Sequence, residues 1–183
     1  HPNDKAGQWR TNVPWIAGSN FLHSRQAGNW DITLGANVNY DAGYIGPPSI
    51  EGAEVLDYLE DNPLNSTDSS NLGLNIKDQQ MASYRGRVNF NIRHRNPKVK
   101  GLTYGVNGNV MFAHTSLAFA WLDDSTGIYK GYPGATFLQD QFIFHVDPFI
   151  GYQSPTAGKH SIKARVLRSD NKMTGNQDNE SNV

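Results

Sequence analysis

Between Tyr84 and Phe112 the chain alternates apolar and polar residues through two runs joined by a short polar turn. Tyr84, Gly86, Val88, Phe90 and Ile92 interleave with Arg85, Arg87, Asn89, Asn91 and Arg93. After the segment Asn96–Gly101, Leu102, Tyr104, Val106, Gly108, Val110 and Phe112 interleave with Thr103, Gly105, Asn107, Asn109 and Met111. Side chains along a strand point to opposite faces with period two. The pattern therefore predicts a β-hairpin with one apolar and one strongly polar face. Which face meets protein, and which meets water or lipid, decides the function.

The same period recurs along the chain. His1–Val13 is polar and reads as loop. Trp15–Arg25 reads as a strand with Trp15, Ala17, Ser19, Phe21 and His23 on one side, and Gln26–Asn29 as a tight turn in which Gly28 supplies a positive φ. Trp30–Asp41 alternates without a fault: Trp30, Ile32, Leu34, Ala36, Val38 and Tyr40 against Asp31, Thr33, Gly35, Asn37, Asn39 and Asp41. A long irregular loop spans 42–82, with a short helix expected over Glu51–Asp61, where Val55, Leu56 and Leu59 have helical spacing. Ser116–Leu122 continues the hairpin with Leu117, Phe119 and Trp121 in the opposite parity, which predicts a bulge near Ala113–Thr115. A second loop is expected over 123–140. Strands over Gln141–Gln153, with Pro148 inside, and Ser161–Leu167 flank a short turn at Ser154–Lys159. The end, Asp170–Val183, is polar and aperiodic. Connections thus alternate short and long, as in an up-and-down meander with its tight turns at one end.

Composition narrows the setting. Among 183 residues, 16 Lys and Arg against 17 Asp and Glu give a formal charge of -1, so no bulk basicity points to nucleic acid. The chain has no cysteine, which excludes disulfides and zinc–thiolate sites. Hydrophobic residues, at 37%, are few for a packed globule, yet a membrane barrel needs few because half of each strand faces a polar lumen. The start at His1, with neither initiator Met nor leader pattern, reads as a mature or internal segment.

A soluble β-sandwich also alternates. Three features favour lipid. Aromatic residues mark the strand ends on the apolar face: Trp30 and Tyr40, Tyr84, Tyr104, and Phe142 and Tyr152. Trp30 and Tyr40 lie about 33 Å apart at ~3.3 Å per residue, or about 25 Å along the normal when tilted, the height of an outer-membrane apolar band between two aromatic girdles. The polar face carries charges and amides at mid-strand, suited to a wet or plugged lumen. The strands also exceed the ~5–6 residues usual in soluble sheets. Roughly six strands are legible, whereas single-chain outer-membrane barrels begin at about eight, and open edges in lipid are prohibitively costly. Part of a larger barrel is the expectation.

Several strings carry a family resemblance. Gly18-Ser19-Asn20-Phe21-Leu22-His23-Ser24-Arg25-Gln26, then Gly28-Asn29-Trp30-Asp31 and Asp41-Ala42-Gly43-Tyr44, resemble TonB-dependent outer-membrane receptors. So do Arg85-Gly86-Arg87-Val88-Asn89-Phe90-Asn91, Lys100-Gly101-Leu102, Gly105-Val106-Asn107-Gly108-Asn109 and Asp147-Pro148-Phe149. The likeness is to the Bacteroidetes-type branch that includes starch-utilisation transporters, and it covers Ala17–Val183 apart from an enlarged loop at Ile45–Gln80. It implies an all-β fold: early strands of a barrel of about 22 strands, with short periplasmic turns and long extracellular loops. Residues 1–183 would form a partial barrel domain, with neither the family's N-terminal plug nor its TonB box within them. It implies a multi-pass protein of a Gram-negative outer membrane, importing a glycan, peptide or metal chelate as TonB moves the plug. Its partners would be the remaining barrel, the plug, TonB and membrane lipid.

On this reading Arg85, Arg87, Asn89, Asn91, Arg93, Arg95, Asn107, Asn109, Asp31, Asn37 and Asn39 face the lumen or plug. Trp30, Tyr40, Tyr84, Tyr104 and Tyr152 form lipid-facing girdles. The arginine ladder is either an anion-attracting wall or a set of cross-strand ion pairs, with Asp41 near Arg85 and Asp31 near Arg93 or Arg95; pairing is the preferred expectation. Asp123 and Asp124 lack the spacing of a calcium loop, and His94, His114, His145 and His160 lack that of a metal site. His145 and Asp147 share the polar face without a nearby nucleophile. Asn65–Thr67 and Asn179–Ser181 match the glycosylation pattern by chance. The acidic positions Glu51, Glu54, Asp57, Glu60 and Asp61 are a candidate contact for a surface lipoprotein or a cation, against the default of a solvated helix face. No catalytic site, cofactor or metal is expected. A passive porin-like barrel is the alternative, and a soluble binding module the next.

Overall fold

The computed structural model describes residues 14–48, 72–121, 130–175 and 179–182. The readings for His1–Val13, the helix over Glu51–Asp61 with its acidic face, Asn65–Thr67 and Asp123–Asp124 lie outside the described residues, as do the side chains of Asn179–Asn182.

The described chain is all-β, a single antiparallel meander. Its strands are β1 (Ile16–Ala27), β2 (Trp30–Asp41), β3 (Ser83–Arg95), β4 (Leu102–Ala118), β5 (Thr136–Ser154), β6 (Gly158–Lys163), β7 (Val166–Thr174) and β8 (Asn179–Asn182). They hydrogen-bond in the order β1-β2-β3-β4-β5-β7-β8, with β6 also on β5. β1 and β2 close through Gly28-Asn29, where Gly28 has φ +59°. At the β3–β4 turn the Asn96 side-chain oxygen accepts from the Lys98 and Val99 amides, and Gly101 takes φ +86°. The central hairpin pairs as the alternation demands: Val88 faces Val110, Phe90 faces Gly108, and Asn89 faces Asn109.

Four sequence expectations are corrected. First, no bulge interrupts β4, whose register with β5 continues from Phe112↔Phe142 to Ala118↔Thr136. The parity of Leu117 changes because β3 has ended at this height. Leu138, opposite Ser116, instead packs with Ile76 and Met81 beside a 3-10 turn at Asp78–Met81. Second, Thr136–Asp140 belongs to β5, not to the second loop. Third, Ser161–Leu167 is the middle of a longer path, since β6 and β7 pair with β5 in one register: Phe149↔Lys163 and Val146↔Val166 leave Pro148 opposite Ala164 and Asp147 opposite Arg165. Proline has no N–H to give the ladder, so the pairing lapses there and only the Ala164 amide bonds back, to the Pro148 carbonyl at 3.1 Å. Fourth, the polar tail is not aperiodic loop: β7 runs to Thr174 and β8 pairs with it, so the last connection is short. Strands polar on both faces leave no hydrophobic period to read.

Among the described residues no second layer covers the sheet. The buried cluster Ile76, Met81 and Leu138 sits at the long-loop end. There the Gly131 amide bonds to the Gly46 carbonyl, and the Gly134 amide to that of Leu72, both at 2.9 Å, joining the two long loops. His114 and Ser116 hold the loop down, His114 between the Asp140 carboxylate (2.6 Å) and the Gln80 carbonyl (2.8 Å), and Ser116 Oγ donating to the Met81 carbonyl (2.6 Å). Val88 (45% exposed) and Phe112 (53%) lie uncovered on the sheet's apolar face.

Candidate functional site

The register gathers all eleven polar candidates onto one face of β2, β3 and β4. Asp31 pairs with Arg93, Asn37 with Arg87, Asn39 with Arg85, Asn89 with Asn109, and Asn91 with Asn107. Amides form a ribbon across β1 and β2: Asn37 donates to Asn20 and Asn39 donates to Asn37. Farther along the same face Gln139 donates to Asn171 at 2.8 Å. Gly35 leaves room for Asn89, whose side-chain nitrogen would lie 2.7 Å from any Cβ placed there.

Charges on this face fall into two groups. Asp31 takes Arg93 at 2.7 Å on one oxygen and Arg95 at 2.8 Å on the other. Asp147 holds Arg165 through two parallel bonds of 2.7 and 2.6 Å. Arg85 and Arg87 have no carboxylate partner among the described residues; Arg87 reaches only the Met111 sulfur, at 3.4 Å. The expected Asp41–Arg85 pair is absent among them. Asp41 stands across from Ser83, and its carboxylate accepts the Gly43 amide at 2.9 Å, because the chain turns into the loop there. The expected Asp31 pairing is present. A groove of about 440 Å³ opens beside Arg85 and Arg87, lined also by Asn39, Asp41, Thr115 and Gln141.

Sequence reasoning missed the Asp147–Arg165 pair and the His114 latch. The first had a signal: both residues are equidistant from Thr156 in the turn, so the hairpin register alone sets them opposite. The second had none, because Gln80 approaches His114 only through the folding of the long loop. His145 shares the polar face with Asp147, opposite Asn109, while Asp147 is committed to Arg165.

The opposite face carries the aromatic candidates in two rows. At the short-turn end Trp30, His94 and Tyr104 lie in register and in contact, with ring centroids 4.5 and 5.0 Å apart. At the other end Trp15 stacks on Tyr40 at 4.6 Å, Tyr40 pairs with Tyr84, and Tyr84 stacks on His114 at 5.1 Å. Tyr152 pairs with Leu102, one step beyond Tyr104.

Between the rows the apolar band is oblique. Its limit at the long-loop end lies at Tyr40 and Tyr84 on β2 and β3, at Phe112 and Phe142 below His114 and Asp140 on β4 and β5, and at Val166 on β7. Beyond Val166 the same face of β7 carries Arg168, Asp170 and Lys172, with Arg168 and Asp170 paired at 2.8 Å. At the diagonally opposite corner β1 carries His23 and Arg25, in register with Leu34 and Ile32.

No family profile, curated protein or solved structure matches the chain.

Proposed function

We propose that this chain is a barrel-wall segment of a TonB-dependent outer-membrane transporter, taking up a nutrient too large for porins by plug movement. The observation that carries the reading is the oblique apolar band. From Tyr40 on β2 to Val166 on β7 its limit shifts by roughly 1.5 residues per strand. At ~3.3 Å per residue and ~4.8 Å between strands this is a tilt of about 45°, within the inclination of strands in outer-membrane barrels. A soluble sheet facing a protein layer has no reason to place its charges at two diagonal corners. A lipid slab crossed by tilted strands excludes charge from such an oblique strip.

Open edges add support. Among the described residues β1 pairs only with β2, and β8 only with β7. In hydrocarbon each unpaired backbone group costs several kcal/mol, so further strands must close the wall. The resemblance of the Gly18–Asp31, Arg85–Asn91 and Gly105–Asn109 strings supplies the specific family. No helix among the described residues is long and apolar enough to cross a membrane, which leaves strands as the crossing elements of this reading.

The absence of native cysteine permits a direct test. Single cysteines at Val88 and Val110, labelled with a fluorophore, are expected to be quenched by doxyl lipids in reconstituted membranes. Cysteines at Asn89 and Asn109 are expected to react with a membrane-impermeant maleimide. Equal lipid quenching at both sets, or none, would sink the proposal. Crosslinking of the native protein to TonB separates active transport from a passive porin.

A further inference from the structure

We propose that Arg85 and Arg87 form a binding site for a solute bearing several carboxylates, a substrate class for the transporter proposed above and an inference that rests on the lumen-facing reading of this surface. The polar face holds arginines in two states. Arg93 and Arg95 are spent on Asp31, and Arg165 on Asp147. Arg85 and Arg87, side by side on the same face of β3, have no carboxylate partner among the described residues.

Their neighbours are chosen to leave them so. Across the ladder Arg85 meets Asn39 and Ala113, and Arg87 meets Asn37 and Met111. None of these is acidic. Asp41, the one carboxylate lining the groove, gives an oxygen to the Gly43 amide. Both guanidiniums are exposed and border a groove of about 440 Å³, ample for a small polycarboxylate. Residues two apart on a strand lie about 7 Å apart, so the two planar forks can grip two carboxylates separated by a few bonds. Asn39, Thr115 and Gln141 supply further polar groups on the groove wall.

The guanidinium is the suitable cation here because its fork bonds a carboxylate bidentately, whereas an ammonium would act as a point charge. Arg87 keeps its shape by resting on Met111, a contact that leaves its charge unneutralised. The pair is therefore held for an incoming anion rather than used to fasten the sheet.

The test is calorimetric titration of the native transporter that contains this chain, in lipid nanodiscs, with tricarballylate and with its uncharged trimethyl ester. The acid is expected to bind and the ester not. Arg85→Gln with Arg87→Gln is expected to weaken the acid at least tenfold, while Arg93→Gln with Arg95→Gln changes it less than twofold. Arg85→Lys with Arg87→Lys, which keeps charge and solubility, is expected to fall between wild type and the glutamine pair. Absence of binding to the folded wild type, or binding undiminished in the glutamine variant, overturns the site. The lipid-quenching readout at Val88 is independent. Quenching without tricarballylate binding rejects this site alone; arginine-dependent binding without quenching keeps the site and rejects the lumen.

Discussion

Asp147 and Arg165 face each other where the ladder between β5 and its partner lapses, joined by two bonds of 2.7 and 2.6 Å. Pro148 creates the lapse by removing a backbone donor. The ladder bond from Ala164 to the Pro148 carbonyl makes the adjoining Asp147–Arg165 pair a narrow, non-hydrogen-bonded one, where side chains come closest. A side-chain clamp thus stands beside the missing backbone bond. Arg165→Gln is expected to speed hydrogen exchange at Ala164 and Val166 while leaving β3–β4 unchanged. Exchange unaltered at those amides would show that the clamp does not hold the register.

Asp31 carries two arginines and Asp41 none. Asp31→Asn is therefore expected to lower stability, by at most about 1 kcal/mol because Arg93 and Arg95 are half exposed. The difference should shrink in high salt. Asp41→Asn should show no such salt dependence, since its partner is the Gly43 amide. Urea midpoints of both variants at low and high salt decide the matter; identical salt responses would count against it.

The apolar face of the central hairpin packs phenylalanine over glycine. A Cβ on Gly86 would sit 2.7 Å from the Phe112 ring, and its three nearest neighbours are all atoms of that ring. Gly86→Ala is expected to destabilise by about 1–3 kcal/mol through overpacking. Phe112→Leu should recover much of that loss, giving a favourable coupling in a double-mutant cycle. Strictly additive losses would mean that the clash lies elsewhere.

His114 is buried and meets acceptors at both ring nitrogens, the Asp140 carboxylate and the Gln80 carbonyl. His114→Ala removes both contacts and is expected to cost about 1–3 kcal/mol. The visible consequence should be local: faster proteolysis within 72–81, with the sheet intact. Ser116→Ala, which frees the Met81 carbonyl, should act in the same direction more weakly. Cleavage rates equal to wild type in both variants would remove the latch from the account.

Much of the sheet was legible because strand alternation is local. Trp30–Asp41 and the hairpin around Asn96–Gly101 could be read directly, and with them the common face of Arg85, Asn89 and Asn109. Legibility failed where polarity hid the period, as in Asn171–Thr174, or where a loop brought distant residues in, as Met81 does beneath Leu138. Reading a bulge from Leu117 failed for the same reason: its parity reports an extension of β4 and β5 above the end of β3, not a defect in β4.

The amino-acid order by itself determined the two faces and the tight-turn registers, since side-chain direction and Gly28-Asn29 geometry depend only on near neighbours. Only the tertiary structure decided which charges meet between β2 and β3. Whether Asp31 or Asp41 holds an arginine depends on the register of β2 against β3 across the long loop, and a shift of one residue would change every partner. The same register set His23 and Arg25 at one corner of the apolar band and Arg168 to Lys172 at the other. Pattern within one strand cannot express that slope, because it exists only between strands.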